Sequence, residues 1–162
     1  IRSGNARGAD QAWEAGASAA GGRVVSFLAA AGQGRSGIPF DTLHPLVQER
    51  AMEIASTLHP AWDRMTSYVR KLMARNVCQV LGSGLDHPVE GVLCWAEGTK
   101  FKDNAIADVA GGTGLAVRLA HARGIPVLNL ALRGHYEHAR RWHHDPASPL
   151  KSLLDLPSPQ TC

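Results

Sequence analysis

The chain has 162 residues and a formal net charge of +3, enough for one domain with a real core and too little charge to demand a nucleic-acid partner. Hydrophobic residues reach 44% against 19% charged, no apolar run is long enough for a membrane span, and no signal peptide is visible. Cys78, Cys94 and Cys162 are odd in number and lack CxxC spacing, which argues against a disulfide framework and for free thiols in a reducing compartment. A soluble, cytoplasmic protein is expected.

The first ten residues, IRSGNARGAD, read as the end of a strand running into a glycine-bearing loop. Asp10 to Ala20 has a helical pattern despite Gly16, and the following GGR closes it. RVVSFLAA is a short buried strand, and AGQGRSGIPFD, with Gly32, Gly34 and Gly37, reads as a loop. Pro45 and Pro60 suit helix starts, so helices are predicted at 45–57 and 60–81, the second stopped by Gly82 and Gly84. GVLCWA (91–96) is another buried strand. EGTKFKDNAIADVA is polar and irregular, the expected active-site loop. Gly111-Gly112-Thr113-Gly114 opens a helix through Arg123, and IPVLNL (125–130) is the clearest strand. HYEHARRWHHD reads as a short helix before a proline-broken tail, whose Leu150, Leu153, Leu154 and Leu156 are candidates to dock on the body or on a second subunit. Strands apolar on both faces, alternating with helices, predict an α/β fold: a Rossmann-like parallel sheet with helices on both faces. The domain is expected over 1–134, with a histidine-rich segment and tail over 135–162.

Three constellations can carry chemistry. At Ser3–Asp10, a strand ending in small residues before a helix leaves backbone N–H groups at the strand's carboxyl end. Ser3, Gly4 and Gly8 would let a phosphate or ribose approach, Arg7 would add a charge-assisted bond, and Asp10 would cap the helix or bind a ribose hydroxyl. The competing reading is a tight turn with Asp10 as cap and Arg7 in solvent. Gly111, Gly112, Thr113 and Gly114 form a second candidate anion nest at a helix start. Such an end contributes only about 0.3–1 kcal/mol, so a cation must assist. Arg64, Tyr68, Lys71 and Arg75 are spaced to share one helical face, flanked by Arg70 and Asn76, opposite an apolar stripe of Trp62, Met65, Val69, Leu72 and Val80. That basic face either supplies the cation or is a solvated surface. Trp95, at a strand's end, and Tyr68 are candidate base platforms. His135, His138, His143 and His144 crowd one segment without HExxH or Cys/His spacing, so no metal is expected. His44, His59 and His87 each precede a proline and read as loop or cap residues.

The stretch SGNARGADQAWEAGA resembles the SG-x-ARG-x-D signature of the DNA-processing A (Smf) proteins. YVRKLMARNV, with the later strand and GGTG turn, resembles the basic helix and PGG-x-GT turn of the LONELY GUY phosphoribohydrolases. Both belong to the SLOG superfamily of Rossmann-like nucleotide binders. Residues 1–130 also resemble small SLOG proteins of phages and bacteria through HPAWDR, RKLMARNVCQVLG, VLCWA, GGTG and GIPVLNL. Such domains open with a strand, a glycine turn and a helix before the strand leading into SGNARGAD. The resemblance therefore implies that a first β–α unit is missing here or is supplied in trans.

The resemblance further implies binding of a nucleotide or nucleotide-derived small molecule, for sensing or sequestration, by a homo-oligomer with no separate cofactor. The ligand-binding residues expected are Ser3, Gly4, Arg7, Gly8, Asp10, Arg70, Lys71, Arg75, Asn76, Trp95 and Gly111–Gly114. The enzymatic alternative is a phosphoribohydrolase or N-glycosidase acting on a nucleoside monophosphate. In that family a glutamate follows the glycine turn. The matching position here is Arg118, which cannot serve as its acid or base, and Leu115 and Ala110 also depart from the motif. Asp103 and Asp108 would substitute only if their loop folded inward. A second alternative is single-stranded DNA binding as in the Smf proteins, disfavoured by 6% aromatic content.

Overall fold

The structure is a computed structural model that describes residues 1–32, 36–102, 105–109 and 111–144, with backbone alone for 100–102, 105–108 and 142–144. Gly34, Asp103, Ala110, the tail leucines, Cys162 and the side chains of Asp108, His143 and His144 lie outside the described residues. The chain divides into two compact units, Ile1–Val89 and a second that begins at Glu90.

In the first unit, three short parallel strands pair in the order β1 (Arg2–Ser3), β2 (Val25–Leu28) and β3 (Ile38–Pro39). Ser3 sits opposite Ser26, and Leu28 opposite Pro39. Parallel neighbours need a crossover, and α1 (Ala9–Ala19) supplies the one between β1 and β2. The glycine-rich stretch after β2 thus contains a third strand where composition predicts only loop. Pro39, whose ring nitrogen carries no hydrogen to donate, sits on an edge strand, the usual place for proline in a sheet.

Two longer helices pack beside this sheet. α2 (Pro45–Leu58) starts as predicted, with Pro45 in its first turn and His44 Nδ1 accepting from Leu46 N at 3.3 Å. The next helix is shorter than the predicted 60–81. Thr66 Oγ1 accepts from Val69 N (3.3 Å), so α3 runs Ser67–Leu81. Residues 62–64 form a separate 3-10 turn; a capping threonine outweighs the proline as the start signal. Ala51 and Ala55, fully buried, let α2 approach α3 closely, and α3 packs on β1 and β2. Phe27, Phe40, Val77, Val80 and Leu81 fill this core.

The second unit pairs β4 (Val92–Cys94) with β7 (Val127–Asn129), again parallel, with Cys94 opposite Asn129. The segment expected to be an irregular loop is instead an antiparallel hairpin, β5 (Lys100–Lys102) and β6 (Ala105–Asp108). KFK alternates polar and apolar residues in the period-2 pattern of a strand, whereas AIAD, apolar but for its last residue, is defined by its pairing with β5. α4 (Gly111–Ala122) packs on β4, β6 and β7 through Leu115, Val117, Leu119 and Ala120. α5 (Arg133–His144) packs on β7. The fold is α/β, with short parallel strands in two sheets, consistent with a Rossmann-like arrangement.

Candidate functional site

The first site is built where β1 ends. Ser3 is buried, and its Oγ accepts from Asn5 N (3.2 Å), turning the chain sharply. Asn5 takes a positive φ of 52°, a conformation asparagine tolerates better than most residues. Its side-chain nitrogen donates to Glu14 Oε2 (2.8 Å), while Ser26 Oγ donates to Glu14 Oε1 (2.9 Å). Glu14 therefore ties the turn to both α1 and β2.

Asp10 has a role that neither sequence reading contains. The residue at the cap position is Gly8, whose φ is +95°. Asp10, two residues further on in the first turn, reaches back so that Oδ2 accepts from Gly4 N (3.2 Å) and Ala6 N (3.1 Å). These are amides the sequence reserves for a phosphate, and an internal carboxylate already satisfies them. With those two amides taken, the positive charge near the turn is that of side chains.

Arginines supply it. A cavity of about 200 Å³ opens at the carboxyl ends of β1 and β2, lined by Gly4, Ala6 and Arg7, by Leu28 to Ala30 and Gly32, and by Tyr68, Leu72 and Arg75 of α3. The ends of parallel strands are where open α/β sheets bind ligands. Arg75 comes so close to the turn that a Cβ on residue 4 would lie 1.2 Å from its Nη1; only glycine leaves that space. Gln79 stands on the other side of that space, with Nε2 2.5 Å from the same Cβ position, and its Nε2 donates to Asn76 Oδ1 (3.2 Å). Tyr68 stands at the rim, 51% exposed.

The cavity-lining residues of α3 are thus Tyr68, Leu72 and Arg75, a face rotated slightly from the Arg64–Tyr68–Lys71–Arg75 stripe the charges single out. Lys71 pairs with Asp41 at 2.6 Å. Arg70 lies over the Trp62 ring, 5.5 Å from its centroid, and donates to the Trp62 and Asp63 carbonyls (3.2 and 3.3 Å). Neither lines the cavity, and Asn76 is buried at 6% exposure. Sequence reasoning missed Glu14 and Gln79. Each stands four residues beyond a recognised residue, Asp10 or Arg75, and that spacing was the available signal.

Trp95 and Gly111–Gly114 belong to the second unit. Trp95 follows β4 and is 52% exposed. Gly111 has a φ of +71°, and a Cβ on Gly114 would lie 2.0 Å from the Val109 carbonyl oxygen. Backbone conformation accounts for the first glycine, and close helix packing for the second. The polar centre of this unit is Asn129, fully buried. Its Oδ1 accepts from Ala96 N (2.9 Å) and Ala131 N (3.2 Å), and its Nδ2 donates to the Ala96 carbonyl (2.8 Å) and Thr99 Oγ1 (2.7 Å).

His135 Nδ1 accepts from Asn129 N at 3.0 Å. Burial, and then the nearby His138, hold its pKa below the ordinary histidine value. Among the described residues no three His, Cys, Asp or Glu side chains are grouped to hold a metal. The free thiols Cys78 and Cys94 are buried. Burial pushes them up to about 12 and about 11, far from the thiolate that nucleophilic chemistry needs.

No helix among the described residues is long and apolar enough to cross a membrane. No protein-family model, curated protein or solved structure matches the chain.

Proposed function

We propose that the first unit binds a nucleotide or nucleotide-derived ligand through its phosphate, as a sensor or a sequestering protein. The observation that carries this reading is the cavity at the ends of β1 and β2, which Arg7 and Arg75 line without any acid among the described lining residues. Two guanidinium groups against one anion give charge-assisted bonds of the stronger kind. At about 200 Å³ the cavity is smaller than the roughly 300–1,000 Å³ typical of pockets that enclose a whole small molecule. It suits a phosphate and sugar, with the base outside on the exposed Tyr68 ring. The reading stands on the first unit alone.

Binding is favoured over glycosidic hydrolysis because hydrolysis needs an acid or base within hydrogen-bond reach of the scissile bond. The described lining residues offer no carboxylate, histidine, lysine or cysteine for it. The test is calorimetric titration of the protein with AMP, ADP-ribose, NAD, cyclic dinucleotides and a short single-stranded DNA, each mixture then chromatographed for products. Saturable binding of one nucleotide, recovered intact and abolished by Arg75→Ala, supports the reading. Release of free base transfers it to the hydrolase, and binding by DNA alone transfers it to a strand-binding protein.

A further inference from the structure

We propose that Asn129 and His135 form a proton-operated latch: a proton taken up at His135 Nδ1 releases the first turn of α5 from β7 and loosens the 96–99 turn that Asn129 holds. Every polar group of Asn129 is engaged. Its N–H donates to His135 Nδ1 (3.0 Å), and its carbonyl accepts from Leu132 N (3.0 Å). Its side-chain oxygen accepts from Ala96 N (2.9 Å) and Ala131 N (3.2 Å). Its side-chain nitrogen donates to the Ala96 carbonyl (2.8 Å) and to Thr99 Oγ1 (2.7 Å), and that hydroxyl donates to the same carbonyl (2.8 Å). One fully buried residue therefore fastens both the entry to α5 and the turn after β4.

A neutral imidazole has one donor and one acceptor nitrogen. Here the acceptor is Nδ1, so the ring proton sits on Nε2. Protonation makes Nδ1 a donor as well, and two N–H groups then face each other across 3.0 Å. The ring has to turn away. That takes from α5 a side-chain tie to β7 and leaves the buried Asn129 N–H without its acceptor. A shift of the Asn129 backbone is carried by its amide to Ala96 and Thr99.

Burial, and then the neighbouring His138, disfavour the charged ring, so the latch is shut at neutral pH and opens on acidification. The strand that α5 packs against, β7, brings no ionisable side chain to His135. On α5 itself Arg133, Tyr136, Glu137, Arg140 and Arg141 are exposed, and Arg133 pairs with Glu137 at 2.8 Å. Cys94, opposite Asn129, stays a neutral thiol with its pKa pushed up to about 11, and Glu97 of the 96–99 turn is exposed. What the latch governs is the carboxyl end of both parallel strands of this unit, the end at which open α/β sheets meet ligands. It needs nothing from the cavity of the first unit.

The experiment is ¹⁵N NMR of the intact protein from pH 7.5 to 5, following the ring nitrogens of His135, assigned through the α5 backbone, together with the backbone amides. At pH 7.5 Nδ1 should carry the shift of an unprotonated nitrogen. As the ring titrates, the Asn129, Ala131 and Ala96 amides should shift with the same midpoint. Their exchange, corrected for its intrinsic pH dependence, should quicken by about tenfold, the scale of one lost hydrogen bond. Leu119, buried in α4, should stay protected, which separates latch opening from unfolding. His135→Phe should exchange quickly at Asn129 even at pH 7.5 and show no such titration. His138→Gln, which removes the neighbouring charge, should raise the midpoints of ring and amides together.

A protonated Nδ1 at pH 7.5 overturns the inference, and so does an Ala96 amide that ignores the His135 titration or exchange that quickens equally at Leu119. Should His135→Phe fail to fold, His138→Gln still decides: a midpoint that moves for the ring and not for Ala96 overturns the latch.

Discussion

The backbone N–H of Asn129 donates to Nδ1 of His135 across 3.0 Å, joining the end of β7 to the first turn of α5 through a nitrogen that must be unprotonated. Burial lowers the His135 pKa, and His138 lowers it further. A histidine whose folded pKa lies below its unfolded value contributes stability that is full above about pH 6.5. That contribution is lost as the pH falls from there toward the folded pKa, because the unfolded chain binds the proton more readily. Urea midpoints should therefore decline between pH 7.5 and 5. His135→Phe, which keeps a ring but offers no acceptor, should lower stability by about 1–2 kcal/mol at pH 7.5 and flatten the decline. An equal acid slope in that variant would assign the pH dependence to other histidines.

Asn129 is a stronger test of the same region. It is fully buried, and both ends of its amide are engaged by Ala96, Thr99 and Ala131. Asn129→Ala takes the acceptor from the Ala96 and Ala131 N–H groups in a site water does not reach freely. A loss of about 3 kcal/mol is expected, and amide exchange at Ala96 and Ala131 should rise before the rest of the unit. Asn129→Asp should be worse at neutral pH, since it loses both donors and buries a charge. Wild-type stability in Asn129→Asp would show that the amide's hydrogens are unimportant.

What could be read from the sequence, and what could not, follows from the range of the forces involved. Helix starts set by local chemistry were legible at Pro45 and at Gly111, and the short apolar runs at 25–28, 92–94 and 127–129 are strands as read. The start of α3 was not, because a threonine six residues past Pro60 caps it. β3 was hidden because a two-residue parallel strand is defined by its partner β2, not by its own composition. At the candidate site, Gly4, Arg7 and Arg75 were all singled out, and they line one cavity. The sequence ranked Arg70 and Lys71 beside Arg75 because charge alone does not say which partner is near. Trp62 and Asp41, which engage them, come from segments distant by eight and thirty residues.

The glycines of the GGTG turn should differ in cost for a reason the motif does not show. A Cβ on Gly114 would meet the Val109 carbonyl at 2.0 Å, backbone that cannot step aside as a side chain can. Gly111 has open space and only a positive φ. Gly114→Ala should therefore destabilise by about 3 kcal/mol, and Gly111→Ala by about 1–2 kcal/mol. Chemical denaturation of the two single variants checks the ranking. A larger loss at residue 111 would mean that the α4 packing is looser than the Val109 contact requires.

The four cations of α3 and its approach separate by what they touch. Arg75 lines the cavity, so Arg75→Ala should abolish AMP binding and raise little else. Arg70 stacks on Trp62 and bonds two carbonyls of the turn before α3. Arg70→Ala should cost about 1–2 kcal/mol of stability and leave AMP affinity within about twofold. Lys71 and Asp41 form a pair exposed to roughly the same degree on both sides, 37% and 44%. Solvent and salt screen such a pair to about 0.5 kcal/mol, so Lys71→Ala should be nearly silent in both assays at physiological salt. Arg64, in the turn before the helix, is exposed, and Arg64→Ala should also be silent. Measured side by side by calorimetry and thermal melting, the four variants give three combinations of affinity and stability. A loss of affinity in Lys71→Ala equal to that in Arg75→Ala would move the proposed anion contact outward along the helix, away from Gly4.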